Sequence, residues 1–360
     1  MTCIWSGGKM KYNDLIIQED MKALRDIELP YEMLRGKHVL VTGASGMLAA
    51  YLVYFFEYLN RTEDYGIRVT ALVRNEEKAW RKFGEFREDP GFELLVQDVC
   101  KPIAREWDDL DFIIHAAGNA SPQFILNDPV GIINANTVGT TNVMELAKHY
   151  HSRVLYTSTR EVYGKMDEKV TSIREDSFGS FDPMERRSCY PESKRMAESI
   201  LQGYHYQYGV ESVIARIAHS YGPGMVIDND GRVMSDFISD VVHGRDIILK
   251  STGDAVRAFC YITDAVSALL TLLLKGTPGE AYNVANETEP TAIREAAQEL
   301  VSLFPERGLK VVFDIPEEMS QGYSRMGRVA LDTAKLEALG WKPEVSLRDG
   351  MKRTVESFAE

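Results

Sequence analysis

The chain has 360 residues, with 41 lysines and arginines against 54 aspartates and glutamates, a formal net charge of -13. This length supports one large α/β domain or a main domain with a smaller companion. The acidic balance argues against broad binding to nucleic acid or to an anionic membrane, since both need a basic surface; an anionic small ligand is compatible if a few local arginines hold it.

The cysteines Cys3, Cys100, Cys189 and Cys260 are scattered, with no CxxC pair and no histidine at metal spacing. They read as reduced thiols of a cytoplasmic protein without a metal site. Residues 1–35 form a polar, irregular extension in which "MTCIWSGGK" reads as additional residues ahead of Met10. "DLIIQEDMKALRDI" reads as an amphipathic helix packed outside the main fold.

From Lys37 the pattern alternates: strand-like "KHVLVTG", an apolar helix from Met47, "IRVTALV", a charged helix from Asn75, "FELLVQD", "FIIHAAG", a helix from Val130 to Tyr150, and "RVLYTS". The apolar run "MLAAYLVYFFEYL" is too short to span a bilayer and carries a glutamate, so it reads as a buried helix, and no segment reads as a signal peptide or membrane span. Strands that are apolar throughout, separated by helices, indicate α/β architecture: a Rossmann-like, doubly wound parallel sheet covered on both faces. A polar stretch from Lys165 to Cys189 is long for a connection inside a compact domain and reads as a functional flap. A helix from Tyr190 to Tyr208 and the strand "ESVIARI" follow, and beyond Gly222 the pattern loosens. We therefore expect an extension (1–35), a mainly dinucleotide-binding part (36–220), and a mainly substrate-binding lobe (221–360) with some strands returning to the core.

"VLVTGASGMLAAYL" follows a strand and opens a helix, with Gly43, Gly46 and Ala49 spaced as GxxGxxA. Glycine at the first two positions allows a tight turn and close approach of a pyrophosphate to backbone N–H groups, and a small third residue lets helix and strand pack closely. Ser45 and Met47 belong to the same loop. The second strand ends in Arg74, where a carboxylate would hold the ribose 2′-hydroxyl of NAD and a cation suits the 2′-phosphate of NADP. Arg74 leaves both open, or is simply solvated. Asp98, which closes the third strand and precedes Val99, could reach an adenine amine or be an ordinary turn residue. "CYPESKRMAES" puts Tyr190 and Lys194 on one helical face; a nearby ammonium lowers a phenol pKa and would make the pair a proton carrier.

Taken in order, "TGASGMLA", "HAAGNASP", "STREVYG", "YPESK", "RIAHSYGPG", "NDGRVMSDFI" and "RAFCYITDA" resemble the extended short-chain dehydrogenase/reductase (epimerase/dehydratase) family of nucleotide-sugar enzymes. The resemblance runs from about Lys37 to the C-terminus. It is strongest to UDP-glucuronate decarboxylases, through "NDGRVMSDFI", "RAFCYITDA" and "GRVALDTAKLEALGWKP". It implies that Thr159 and Tyr190 flank a sugar C4 hydroxyl, that Tyr190 takes its proton, and that Lys194 holds the phenolate and the nicotinamide ribose. Ala116 and Ala117 would line the cofactor. Asn119, His219, Arg232 and Arg257 would meet the substrate, the two arginines at its diphosphate and nucleotide end. A homodimer packed through the Tyr190 helix and the helix from Val130 is implied as well.

Two positions depart from the family's usual pattern: His219, commonly asparagine, and Gly224, commonly arginine. The sharpest departure is Arg160 in "YTSTREVYG". In the dehydratase branch that position is typically an aspartate that protonates the departing C6 hydroxyl, with the neighbouring glutamate, here Glu161, as base at C5. A guanidinium cannot donate that proton at neutral pH. In the decarboxylase branch the position is typically serine, and an arginine matching Arg328 handles the carboxylate. The reading is a decarboxylase-like enzyme working through a C4-keto sugar. The alternatives are an NADPH-dependent keto-sugar reductase, a 4-epimerase, a 4,6-dehydratase or, outside enzymes, a dinucleotide-sensing regulatory protein.

Overall fold

A computed structural model describes residues 10–167, 169–315 and 330–358; Cys3, Arg328 and the segment ahead of Met10 lie outside the described residues. Seven strands form one parallel sheet: β1 (His38–Thr42), β2 (Arg68–Val73), β3 (Phe92–Val96), β4 (Phe112–His115), β5 (Arg153–Thr159), β6 (Ser212–Ile217) and β7 (Ala281–Val284). Their order is β7-β6-β5-β4-β1-β2-β3. The order reverses at β1, which neighbours both β2 and β4. In such sheets ligands bind in the crevice at the carboxyl ends of the strands on either side of that point.

Helices cover both faces, as the fully buried β1 requires. Helices α1 (Leu15–Asp26), α2 (Met47–Glu63) and α3 (Glu76–Phe83) come first in the chain, followed by α4 (Pro122–Asn127), α5 (Pro129–Tyr150) and α6 (Cys189–Tyr208). Beyond them lie α7 (Val233–Val242) and α8 (Ile262–Lys275). One core packs α1, α2 and α8, including Leu52, Phe55, Phe56, Leu269 and Leu273. The other packs α5 and α6, with Val143, Met144, Ala197 and Leu201. None of the helices among the described residues is long and apolar enough to cross a membrane.

Helix α1 forms where expected but does not lie outside the main fold. Ile17, Met21 and Leu24 are buried in the larger core. Asp20 is buried among them: Tyr51 Oη and Tyr261 Oη donate to its Oδ2 at 2.9 and 3.0 Å, and Arg353 Nη2 donates to Oδ1 at 2.7 Å. Asp20 is the anchor of the docked helix. The flap is tied down too: its two-residue strand Ser172–Ile173 pairs with Ala330–Leu331, and Arg195 of α6 donates to the Gly179 carbonyl at 2.7 Å.

Candidate active site

At the end of β1 the chain turns at Gly43, whose φ of +64° is the left-handed region. A Cβ there would stand 2.8 Å from the Ala116 carbonyl oxygen, so the turn nests against the end of β4. Helix α2 begins at Met47 after Gly46, and no side chain caps its first N–H groups. An uncapped helix start with its positive dipole end suits a pyrophosphate. Ser45, Gly46, Met47, Arg74 and Ala116 line a single cavity of about 2070 Å³.

Four predicted cofactor residues stand behind that lining. Gly43 shapes the turn, and Ala117 donates its N–H to Thr42 Oγ1 at 3.2 Å. Val99 packs against Gly139 of α5. Asp98 accepts from the Cys100 N–H at 2.9 Å, and this bond holds its carboxyl below the usual range. Arg74 is exposed at the cavity edge, with Asp98 close enough to feel its charge.

The register of the sheet sets His115 beside Thr42 on one side and Tyr156 on the other. Thr42 Oγ1 accepts from two backbone N–H groups, so its own hydrogen points to His115 Nδ1 at 2.8 Å, and Nε2–H donates to Thr140 at 3.1 Å. Burial pushes this imidazole down to about 3, so it remains neutral. Three residues past Tyr156, β5 ends at Thr159, whose hydroxyl accepts from the Glu161 N–H at 3.2 Å. Tyr190 and Lys194, on the first turns of α6, reach the cavity opposite Thr159.

The phenol and the ammonium are not yet coupled. Burial, reinforced by the Glu161 charge, raises the Tyr190 pKa above its ordinary value, while the Thr159 hydroxyl and the charges of Arg187 and Arg232 act in the opposite direction. Lys194 Nζ instead donates to the Thr157 carbonyl at 2.8 Å and sits 4.6 Å from the centre of the Tyr156 ring. Burial lowers its pKa to about 7. The expected lowering of the phenol by this lysine is therefore absent from the protein alone, because the ammonium is drawn to a strand carbonyl. Beside it, the Oδ1 of buried Asn136 has no hydrogen-bond partner, and a Cβ on Gly118 would come within 2.9 Å of that oxygen. A buried amine and an uncapped helix start on one cavity, with an orphaned acceptor just behind Gly118 of its lining, fit a dinucleotide.

The substrate end gathers Asn119, His219, Arg160, Arg187, Arg232 and Arg257 on the same cavity. Two of its arginines are neutralised. Arg187 Nη2 donates to both oxygens of Glu161, at 2.7 and 2.9 Å, and Arg232 is ion-paired with Asp230. Arg160 and Arg257 are not: among the described residues, their side chains bond only to His219 Nε2 (3.1 Å) and to the Val256 carbonyl (2.9 Å). Burial lowers both guanidinium pKa values, and the charge of Arg160 lowers Arg257 further. Burial raises the Glu161 carboxyl, opposed by Arg187 and Arg160. Asn119 uses its Oδ1 to accept from the Ser121 N–H at 3.0 Å.

Sequence reasoning missed Arg187, hidden in the flap, and Asn136, hidden mid-helix. It also missed Met10. Its sulfur fills the space a side chain at Gly224 would take, and it lines the cavity.

The profile of the NAD dependent epimerase/dehydratase family matches residues 39–285. The chain belongs to that family. It is accordingly an NAD-dependent enzyme, and the regulatory alternative falls away. Members similar to it include UDP-glucuronic acid decarboxylase 6 of Arabidopsis thaliana, 37% identical over 324 residues that make up 89% of this chain and 88% of that protein. Among solved structures, UDP-glucose 4-epimerase of Thermotoga maritima with UDP-glucose has a TM-score of 0.72 at 22% identity, covering 89% of this chain and 98% of that one. The dTDP-glucose 4,6-dehydratase of Bacillus anthracis, in complex with NAD, has a TM-score of 0.70 at 21% identity, covering 89% and 96%. These two likenesses establish the shared Rossmann-like fold.

Proposed function

We propose that this family member removes the C6 carboxyl of a UDP-linked hexuronic acid through a C4-keto sugar. Bound NAD supplies the hydride acceptor, held by the loop Ser45–Met47 and by Lys194. Tyr190 removes the C4 hydroxyl proton while Thr159 holds the same oxygen. Lys194 stabilises the phenolate once its ammonium leaves the Thr157 carbonyl. The C4 ketone makes the C6 carboxylate a β-keto acid: the C5–C6 bond breaks, carbon dioxide leaves, and the electron pair moves into a C4–C5 enolate. Glu161, whose pKa is raised by burial, can return a proton at C5. NAD held there would both take and return the C4 hydride, so no outside oxidant would be needed.

The observation that carries this reading is the pair Arg160 and Arg257, two partly buried cations on the cavity without carboxylate partners among the described residues. One suits a diphosphate and the other a sugar carboxylate. The decarboxylase relative supports the same assignment. Dehydration is disfavoured because Arg160 cannot act as an acid. Pairing with Arg160 stabilises the ground-state carboxylate, so it serves selection of the substrate and not the rate of carbon dioxide loss.

Residues 36–220 would then carry mainly the cofactor and 221–360 mainly the substrate. Arg328 would join the carboxylate pocket. The exposed apolar side chains Val130, Ile133 and Val138 on α5 and Met196 on α6 support a homodimer formed through these helices. A second reading rests on Arg74, a cation where NAD enzymes hold a ribose with a carboxylate: NADPH-dependent reduction of a keto sugar, with Tyr190 as the acid. Incubation with NAD and UDP-glucuronate, read by proton NMR, separates the two. A UDP-pentose supports decarboxylation, whereas an unreacted sugar together with NADPH oxidation on a keto-sugar substrate supports reduction.

A further inference from the structure

We propose that Arg160 and His219 form one subsite that selects a sugar carrying a negative charge, with His219 as the positioning residue that aims the guanidinium. The inference rests on the decarboxylase reading and deepens it by assigning the selection to a particular pair of side chains. Arg160 Nη1 donates to His219 Nε2 at 3.1 Å, and both residues line the cavity. Among the described residues no carboxylate lies within ion-pairing distance of Arg160; Glu161 and Glu287 act on it only through space. Glu161 is itself held by Arg187 through both oxygens. The guanidinium has four further N–H groups to offer a ligand, a fork that matches a carboxylate.

His219 is built to accept. Its backbone lies in the left-handed region, with φ of +48°, a conformation tolerated by histidine, asparagine and aspartate better than by other residues with a Cβ. It is fixed there by the Cys260 N–H, which donates to its carbonyl at 3.2 Å, and its ring meets Phe259 edge-on with centroids 6.1 Å apart. Burial and the charges of Arg160 and Arg257 push the imidazole down to about 3, so the ring is neutral, and because the guanidinium facing Nε2 can only donate, Nε2 is the acceptor and Nδ1 carries the proton. A protonated ring would repel the guanidinium instead of orienting it. The two arginines then divide the substrate's charge: Arg257, on the strand segment Val256–Arg257, faces the cavity beside this pair and is left for the diphosphate.

The test measures binding, so that it does not depend on carbon dioxide release. In a Tyr190→Phe background, which blocks turnover, the NAD-loaded protein is titrated calorimetrically with UDP-glucuronate and with UDP-glucose. The subsite predicts tighter binding of UDP-glucuronate. Arg160→Ser should weaken UDP-glucuronate about 10- to 100-fold, the range for losing a charge-assisted hydrogen-bonded contact, and leave UDP-glucose within about twofold. His219→Asn keeps a residue suited to the left-handed backbone but is too short to reach Arg160. It should remove most of the preference alone and add nothing in the Arg160→Ser protein. A preference that survives Arg160→Ser overturns the proposal. So does a His219→Asn loss that is equal for both ligands or undiminished without Arg160, since that marks a merely structural histidine. A binding preference, with no carbon dioxide released by the protein that keeps Tyr190, would keep the subsite and sink the decarboxylase reading; carbon dioxide release by that protein without the preference would do the reverse.

Discussion

Lys194 Nζ donates to the backbone carbonyl of Thr157 at 2.8 Å, two residues before Thr159, so the amine of α6 is moored to the strand that presents the other hydroxyl group of the site. The same α6 carries Tyr190 one turn earlier, and the mooring sets the depth at which the phenol enters the cavity. Tyr190→Phe keeps this packing and removes the proton carrier. Its kcat should fall about 10²- to 10⁴-fold, the usual contribution of a positioned acid or base, with dinucleotide affinity retained. Unchanged turnover would remove Tyr190 from the chemistry.

Gly43 tests the cofactor loop. Its left-handed φ costs a residue with a Cβ about 1–2 kcal/mol, and the added carbon would stand against the Ala116 carbonyl. Gly43→Ala should therefore weaken NAD binding by about tenfold or more, read by fluorescence titration, with smaller effects on UDP binding. Equal losses for both ligands would show a general collapse of the cavity.

Much of this was legible in the chain. Six of the seven strands read as short, mainly apolar runs, which are buried in a sheet covered on both faces, whereas β7, with Asn283 in a four-residue run, did not stand out. The glycine turn and Thr159 sit at the ends of such runs, where the topology opens a crevice, and Tyr190 and Lys194 sit at the start of a helix. What was not legible depends on partners far away in sequence. The helix Leu15–Asp26 read as packed outside the main fold because the partners of its Asp20, Tyr51, Tyr261 and Arg353, come from elsewhere in the chain. The bond between His219 and Arg160 comes from the pairing of β5 with β6, whose ends Thr159 and Ile217 lie side by side, and the left-handed backbone of His219 lies in the loop that follows. Helical spacing placed Tyr190 near Lys194, but not the strand carbonyl that draws the ammonium away.

The buried Asp20 cluster should matter for stability. Asp20→Ala leaves Arg353 with Glu19 as its remaining carboxylate and takes the buried acceptor from two tyrosine hydroxyls. Removing one partner of a buried pair costs about 3–5 kcal/mol. A fall in denaturant midpoint with unchanged slope would show it, whereas a near-neutral variant would make α1 an accessory to the fold.

Glu57 gives a pH dependence with a definite sign. It is buried in α2, its Oε1 has no partner, and burial raises its pKa from 4.5 to about 7. Between those values the unfolded chain has released a proton that the folded chain keeps, so stability falls as pH rises from 4.5 towards 7. The loss approaches roughly 3 kcal/mol above pH 7. Glu57→Gln should flatten this part of the stability profile relative to the unmodified protein. Parallel profiles would place the titration elsewhere.

The central claim is that carbon leaves from C6. UDP-glucuronate labelled with ¹³C at C6, incubated with the protein and NAD, should release labelled carbon dioxide in step with a UDP-pentose and without accumulating NADH. A labelled C6 retained in a UDP-hexuronate epimer, or no reaction with UDP-glucuronate at all, would contradict it.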